Sequence, residues 1–128
     1  MRYRMFALLA YLLTMPVVGQ QAQNDCTGEA CSVVRVRVSQ ENCYANPGTN
    51  PGFKVYIDNI DSSRTVQVSA KQYGTSLGYP PVENIYNQQL SQTVHWNVGC
   101  TQYFSSVPLP EHVVTYQYTI QRAVFVTR

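Results

Sequence analysis

From Val33 onward apolar and polar residues alternate with a period of two, the spacing of half-buried strands. Val34, Val36 and Val38 fall on one side of the first segment, Arg35 and Arg37 on the other. A second segment, Phe53 to Asp58, groups Phe53, Val55 and Ile57. A third, Arg64 to Lys71, groups Val66, Val68 and Ala70. Asn59 to Ser63 supplies the Asn, Asp and Ser of a tight connection, so these two segments are expected to pair as a hairpin. Thr93 to Cys100 aligns Val94, Trp96, Val98 and Cys100, which aims Cys100 into the same core as the tryptophan. In the last segment, Val113 to Thr127, the inward set is Val114, Tyr116, Tyr118 and Ile120. Its apolar Ala123-Val-Phe-Val126 run marks a bulge or a strand covered on both sides.

Three stretches break the alternation. Glu41 to Pro51 carries the turn signals Asn46-Pro-Gly and Asn50-Pro-Gly. Gln72 to Ser91 reads as the longest irregular loop, with one weak strand at Ile85 to Leu90. Pro80 and Pro81 exclude a central strand there, because neither has an N–H for a ladder. Thr101 to His112, with Pro108 and Pro110, reads as another loop. No window has helical spacing. The chain is therefore expected to be all-β, a disulfide-stapled antiparallel sandwich of about six to seven strands. Its single core is expected to hold Val34, Val36, Val55, Ile57, Val66, Val68, Val94, Trp96, Val98, Tyr116 and Tyr118. In architecture this resembles immunoglobulin-like sandwiches. The motif of that family is absent, since Trp96 shares a strand with Cys100 rather than lying on a separate one. The stretch Val94–Cys100 followed by Tyr116-Gln-Tyr-Thr-Ile120 and Ala123 also resembles the ends of small exported bacterial β-sandwich proteins, a likeness that carries no catalytic motif.

The N-terminus has the three parts of a secretory leader. Arg2 and Arg4 are basic, Phe6 to Leu13 is apolar, and Met15-Pro-Val-Val-Gly19 breaks the helix before small residues. Cleavage is expected after Gly19, with Ala22 as the alternative. The apolar run is far shorter than the ~20 residues a bilayer span requires. The expected organisation is a signal peptide over 1–19, a polar lead-in over 20–32 and one domain over 33–128, secreted or periplasmic, with no stable membrane insertion. The chain has 9 Lys+Arg and 7 Asp+Glu. Without the two leader arginines these balance, which argues against nucleic acid as a partner.

Export changes how the four cysteines are read. Cys26 and Cys31 are expected to close a small local loop, and Cys43 and Cys100 to form a long-range staple. Zinc ligation would need paired C-x₂₋₄-C units, and only Cys26 and Cys31 stand close together. No metal or cofactor is expected.

No catalytic spacing is present: no G-x-S-x-G, no H-E-x-x-H, no phosphate loop. His95 is expected on an exposed strand face and His112 in a loop. Arg35 and Arg37 are expected to blunt an exposed sheet face or edge. What stands out is tyrosine, 10 in the chain. Tyr56, Tyr116 and Tyr118 fall in strands, as packing. Tyr73, Tyr79, Tyr86 and Tyr103, with Phe104, fall in expected loops and are the candidate binding residues, because loop aromatics serve contact surfaces at low entropy cost. The expectation is a non-enzymatic exported module that recognises a protein, an envelope component or a neutralised toxin. The alternatives are a carbohydrate-binding module and, last, a small hydrolase. Coplanar exposed rings would favour sugar, and a histidine joined to a carboxylate in a cleft would favour the hydrolase.

Overall fold

Seven antiparallel strands among the described residues build two sheets around one core. In this computed structural model the described residues are 25–43 and 52–127. The expected leader over 1–19 and the Asn46-Pro-Gly turn signal lie outside them. The strands are β1 (Val34–Asn42), β2 (Phe53–Asn59), β3 (Val66–Ser76), β4 (Tyr79–Leu90), β5 (His95–Cys100), β6 (Gln102–Ser105) and β7 (His112–Phe125). The small sheet has the order β1-β2-β5 and the large one β4-β3-β7-β6. Among the described residues no helix is long and apolar enough to cross a membrane.

Where alternation was strongest, burial follows it. Val34, Val55, Ile57, Val66, Val68, Ala70, Val114, Tyr118 and Ile120 are buried, with Val36, Trp96 and Val98 half-buried. The bulge in the last strand lies at Gln121, since Ser69 pairs with Arg122 and Ala70 with Ile120. Val94 is 38% exposed and leaves the expected core. It precedes β5 in a turn where Thr93 has φ 58° and the Val94 amide donates to the Ser91 carbonyl.

The expected hairpin between the second and third segments does not form. β2 pairs with β1 and β5, and β3 with β4 and β7. Both segments carry an apolar face, and period-two patterning does not say whether two such faces lie side by side or across a core. The connection crosses between sheets and is held by Asn59, which is fully buried. Its amide donates to the carbonyls of Arg64, Leu90 and Ser91, and its oxygen accepts from the Asp61 amide.

The expected loop over 72–91 is instead the end of β3, a turn at Leu77-Gly78 and the whole of β4, which takes in the weak strand expected at Ile85 to Leu90. The prolines are compatible because β4 is an edge strand, where a missing N–H can face solvent. With every residue from 80 to 89 exposed, β4 has no buried face to print an alternating pattern in its sequence. β6 likewise replaces part of the loop expected over 101–112. It pairs with β7 before the prolines begin.

Both expected disulfides are present, Cys26–Cys31 and Cys43–Cys100. The two bonds fit an oxidising environment. The small loop docks on β7: Thr27 and Ala30 donate to the carbonyls of Gln121 and Ala123, and the Ala123 amide donates back to Thr27. Ala30 is fully buried in the core as a result. Gly28 sits at φ 107° with no room for a β-carbon against the Ala123 carbonyl. Two outcomes are expected in denaturant titrations. Replacing Cys43 and Cys100 together should lower stability by roughly 2–5 kcal/mol, since the bridge closes a long loop. Gly28→Ala should cost about 1–3 kcal/mol, from a strained left-handed backbone, and an unchanged midpoint would show that this loop does not dock as described.

Candidate functional site

Sheet register sorts the five candidate aromatics onto two faces. The buried set Val66, Val68 and Ala70 continues by parity to Gln72, Gly74 and Ser76 on the inner face of the large sheet. Residues directly opposite each other on neighbouring strands share a face. On β4, Tyr86 opposes Ala70, Asn84 opposes Gln72, and Tyr79 opposes Ser76. On β7, Tyr118 opposes Gln72 and Tyr116 opposes Gly74; on β6, Tyr103 opposes Val114. Tyr79, Tyr86 and Tyr103 therefore share the inner face with Tyr116 and Tyr118. Tyr73 and Phe104 have the other parity and lie on the outer face, apart from the rest.

The small sheet has shorter strands, of 9, 7 and 6 residues against 11, 12 and 14 in β3, β4 and β7. The buried cluster gathers around Val66, Val68, Ala70, Leu90, Ile120 and Ala123. On the flanking strands β4 and β6 the inner face stays partly open: Tyr86 is 38% exposed, Tyr103 41% and Val82 43%.

A polar network fixes the border between core and shelf. The Tyr118 hydroxyl donates to the Cys100 carbonyl at 2.8 Å and accepts from the Cys100 amide at 3.1 Å and from Gln72 Nε2 at 2.8 Å. Gln72 Oε1 accepts from Asn84 Nδ2 and from the Tyr86 hydroxyl, at 3.0 and 3.1 Å. Burial pushes Tyr118 up to about 12, and burial with the neighbouring Tyr86 raises Tyr103 and Tyr116. Farther out, Tyr79 stacks on His112 with centroids 3.7 Å apart, and its hydroxyl donates to the Pro110 carbonyl. Tyr103 stands edge-on to Tyr116 at 5.3 Å. Beside Tyr103 lies an open depression of about 390 Å³, with the Cys43–Cys100 bond, Lys54, Asn97 and Val98 in its walls.

Cys100 reaches this border through a bulge. Val55 pairs with Gly99 and Tyr56 with Asn97, so Val98 is the extra residue. The shift puts Cys100 opposite Lys54 and turns Gly99, instead of Cys100, toward the tryptophan side. The expected parity of Cys100 is thus overturned, although the residue is buried. A β-carbon on Gly99 would overlap the Tyr118 hydroxyl, so the close approach needs glycine there.

A second cluster occupies the outer face of the small sheet. Asp58 stands between Arg35 on β1 and His95 on β5. Its carboxylate accepts from Arg35 Nε at 3.3 Å and from Arg37 Nε and Nη2 at 2.8 and 3.2 Å, and lies 2.6 Å from His95 Nδ1. Burial alone would raise the Asp58 carboxyl, but the bonds from Arg37, His95 and Arg35 outweigh it and hold it below the usual carboxylate range. Arg37 also lies over the Tyr56 ring, whose hydroxyl donates to Glu41. The arginines expected to blunt a surface are therefore fastened to a buried acid. The histidines do not converge, for they belong to different sheets. Glu83 is taken by Lys71 at 2.6 Å. Among the described residues no group of three His, Cys, Asp or Glu side chains is placed to hold a metal.

Gln72, Asn84, His112 and Asp58 were not legible as site residues. Their only signal is register, which pairing decides. No family model, curated protein or solved structure matches the chain.

Two pH limbs follow from these networks. Tyr118 has a raised folded pKa, so its contribution is complete below its ordinary value near 10 and is lost as pH rises toward about 12. Tyr118→Phe should cost about 1–3 kcal/mol at neutral pH by stranding the Cys100 amide and carbonyl, and should shrink the alkaline limb of stability. Asp58 has a depressed folded pKa, so its contribution is present at neutral pH and fades as acid protonates it. Asp58→Asn should flatten the acid limb. Unfolding midpoints across pH check both, and parallel curves for variant and parent would contradict them.

Proposed function

We propose that the protein is a non-enzymatic exported binding module that recognises a protein partner through the partly open inner face of its large sheet. The observation that carries this reading is the gathering of Tyr79, Tyr86 and Tyr103 with Tyr116 on one face of the large sheet, with Tyr86 and Tyr103 still exposed. Their hydroxyls and ring contacts are tied to Gln72, Pro110, His112 and each other, so the surface is ordered before a partner arrives. Preordered aromatic anchors lose little entropy on binding and are the residues that dominate protein contacts. The depression beside Tyr103 has the size to take an apolar or polar side chain of the partner.

The leader over 1–19, cleaved after Gly19, and the two disulfides support export to the periplasm or beyond. The two-sheet arrangement supports an immunoglobulin-like reading of the sandwich, with the contact surface on strands instead of end loops. Pairing of the rings with one another favours protein over sugar, which stacks on rings held open in a plane. His95 meets a buried Asp58 whose carboxylate also accepts from Arg35 and Arg37, an arrangement that supports an ion-pair network over a hydrolase.

The test compares the exported chain with a Tyr86→Ala/Tyr103→Ala variant. Each is immobilised against the exported protein fraction of its source, and in parallel against a glycan array. The expected result is one or a few proteins retained by the parent and lost with the double change, a loss of a few kcal/mol of binding, at a nearly unchanged melting temperature. Retention by both forms, or glycan binding that the double change abolishes, would overturn the protein reading.

A further inference from the structure

Among the described residues, the outermost strands of the two sheets are treated unequally. β1 shifts register between Val38 and Asn42. β5 spans 6 residues and contains the Val98 bulge, and β6 spans only 4. Bulges and brevity are devices by which an edge is kept from pairing. β4 has none of them over Val82–Leu90. That run stays in unbroken register with β3 from Gly74↔Val82 to Val66↔Leu90. It contains no proline and no cation, and its one charge, Glu83, is neutralised by Lys71. Every residue from 82 to 89 is exposed, with Val82 and Tyr86 on the inner face and Ile85, 49% exposed, on the outer. As the outermost strand of its sheet, it turns alternate N–H and C=O groups toward solvent.

We infer that this edge pairs with the same edge of a second copy of the chain, antiparallel about a two-fold axis at Tyr86. The sequence is complementary to itself in that register. Val82 meets Leu90 of the other copy, Glu83 meets Gln89, Asn84 meets Gln88, and Ile85 meets Asn87. No like charges oppose each other, and amides meet amides; Leu90 itself stays buried in its own core. A two-fold perpendicular to the sheet keeps the inner faces on one side. The two tyrosine shelves then adjoin at the Tyr86 pair and form one surface. The pairing rests on the edge alone, so it stands or falls apart from the proposed partner binding.

Sedimentation velocity on the exported chain between about 1 and 100 µM is expected to show a dimer. An Ile85→Lys/Asn87→Lys variant sets lysine opposite lysine twice across the axis and should weaken association at least about tenfold. Both positions are exposed, so circular dichroism and the melting temperature should match the parent. Tyr86→Cys tests the register, because directly opposed residues have Cα atoms about 4.5–5.5 Å apart, within disulfide reach. It should yield a crosslinked dimer under mild oxidation, whereas Gln89→Cys should not. A monomer throughout that range, a dimer indifferent to the two lysines, or crosslinking through position 89 and not 86 would overturn the proposal. A strand of some other protein seated on this edge would appear as the monomer outcome.

Discussion

One phenol holds the two sheets in their relation. Tyr118 of the large sheet satisfies both the amide and the carbonyl of Cys100, where the chain leaves the small sheet for β6. That crossing is bulged and would otherwise bury unpaired backbone groups, at the cost of a lost hydrogen bond for each. The Cys43–Cys100 bond fastens the same point to the end of β1. Gly99 admits the hydroxyl by having no side chain. Crossover, disulfide and interior hydrogen bonds therefore meet within two residues.

From this anchor the distribution of polar groups follows. Beside the core of Val66, Val68 and Ala70, Gln72 relays the Tyr118 hydroxyl to Asn84 and Tyr86 on the outermost strand β4. A buried amide chain of this kind is stabilising only when each member is paired, and no buried side-chain nitrogen or oxygen among the described residues lacks a partner. The border between dry core and open shelf is thus chemically defined. On the opposite surface Asp58 does comparable work for the small sheet. A buried carboxylate needs its counterions close, and it draws Arg35, Arg37 and His95 across all three strands.

How much of this could be read in advance depended on whether a residue's environment left a mark on its neighbours. Strands covered on one face, such as Val34 to Val36 and Val66 to Ala70, carry the period of that coverage and were legible, whereas Val38 continues the alternation but is exposed. β4 is open on both faces over most of its length, so nothing selected for alternation, and only Ile85 to Leu90 read as a weak strand. The cysteine pairing was legible from spacing and compartment. The parity of Cys100 was not, because one inserted residue at Val98 reverses every side chain after it.

What the sequence by itself determined is local: all-β character, the strands with a buried face and both disulfide pairs. Partner choice among strands belonged to the tertiary structure. β2 and β3, adjacent and similarly patterned, went to opposite sheets, since two apolar faces gain more by closing on each other than by lying side by side. That choice alone gathered Tyr79, Tyr86 and Tyr103 onto one face, sent Tyr73 and Phe104 to the other, and set Asp58 beneath two arginines. Pairing joins residues tens of positions apart, and period-two patterning carries no record of which strand stands beside which.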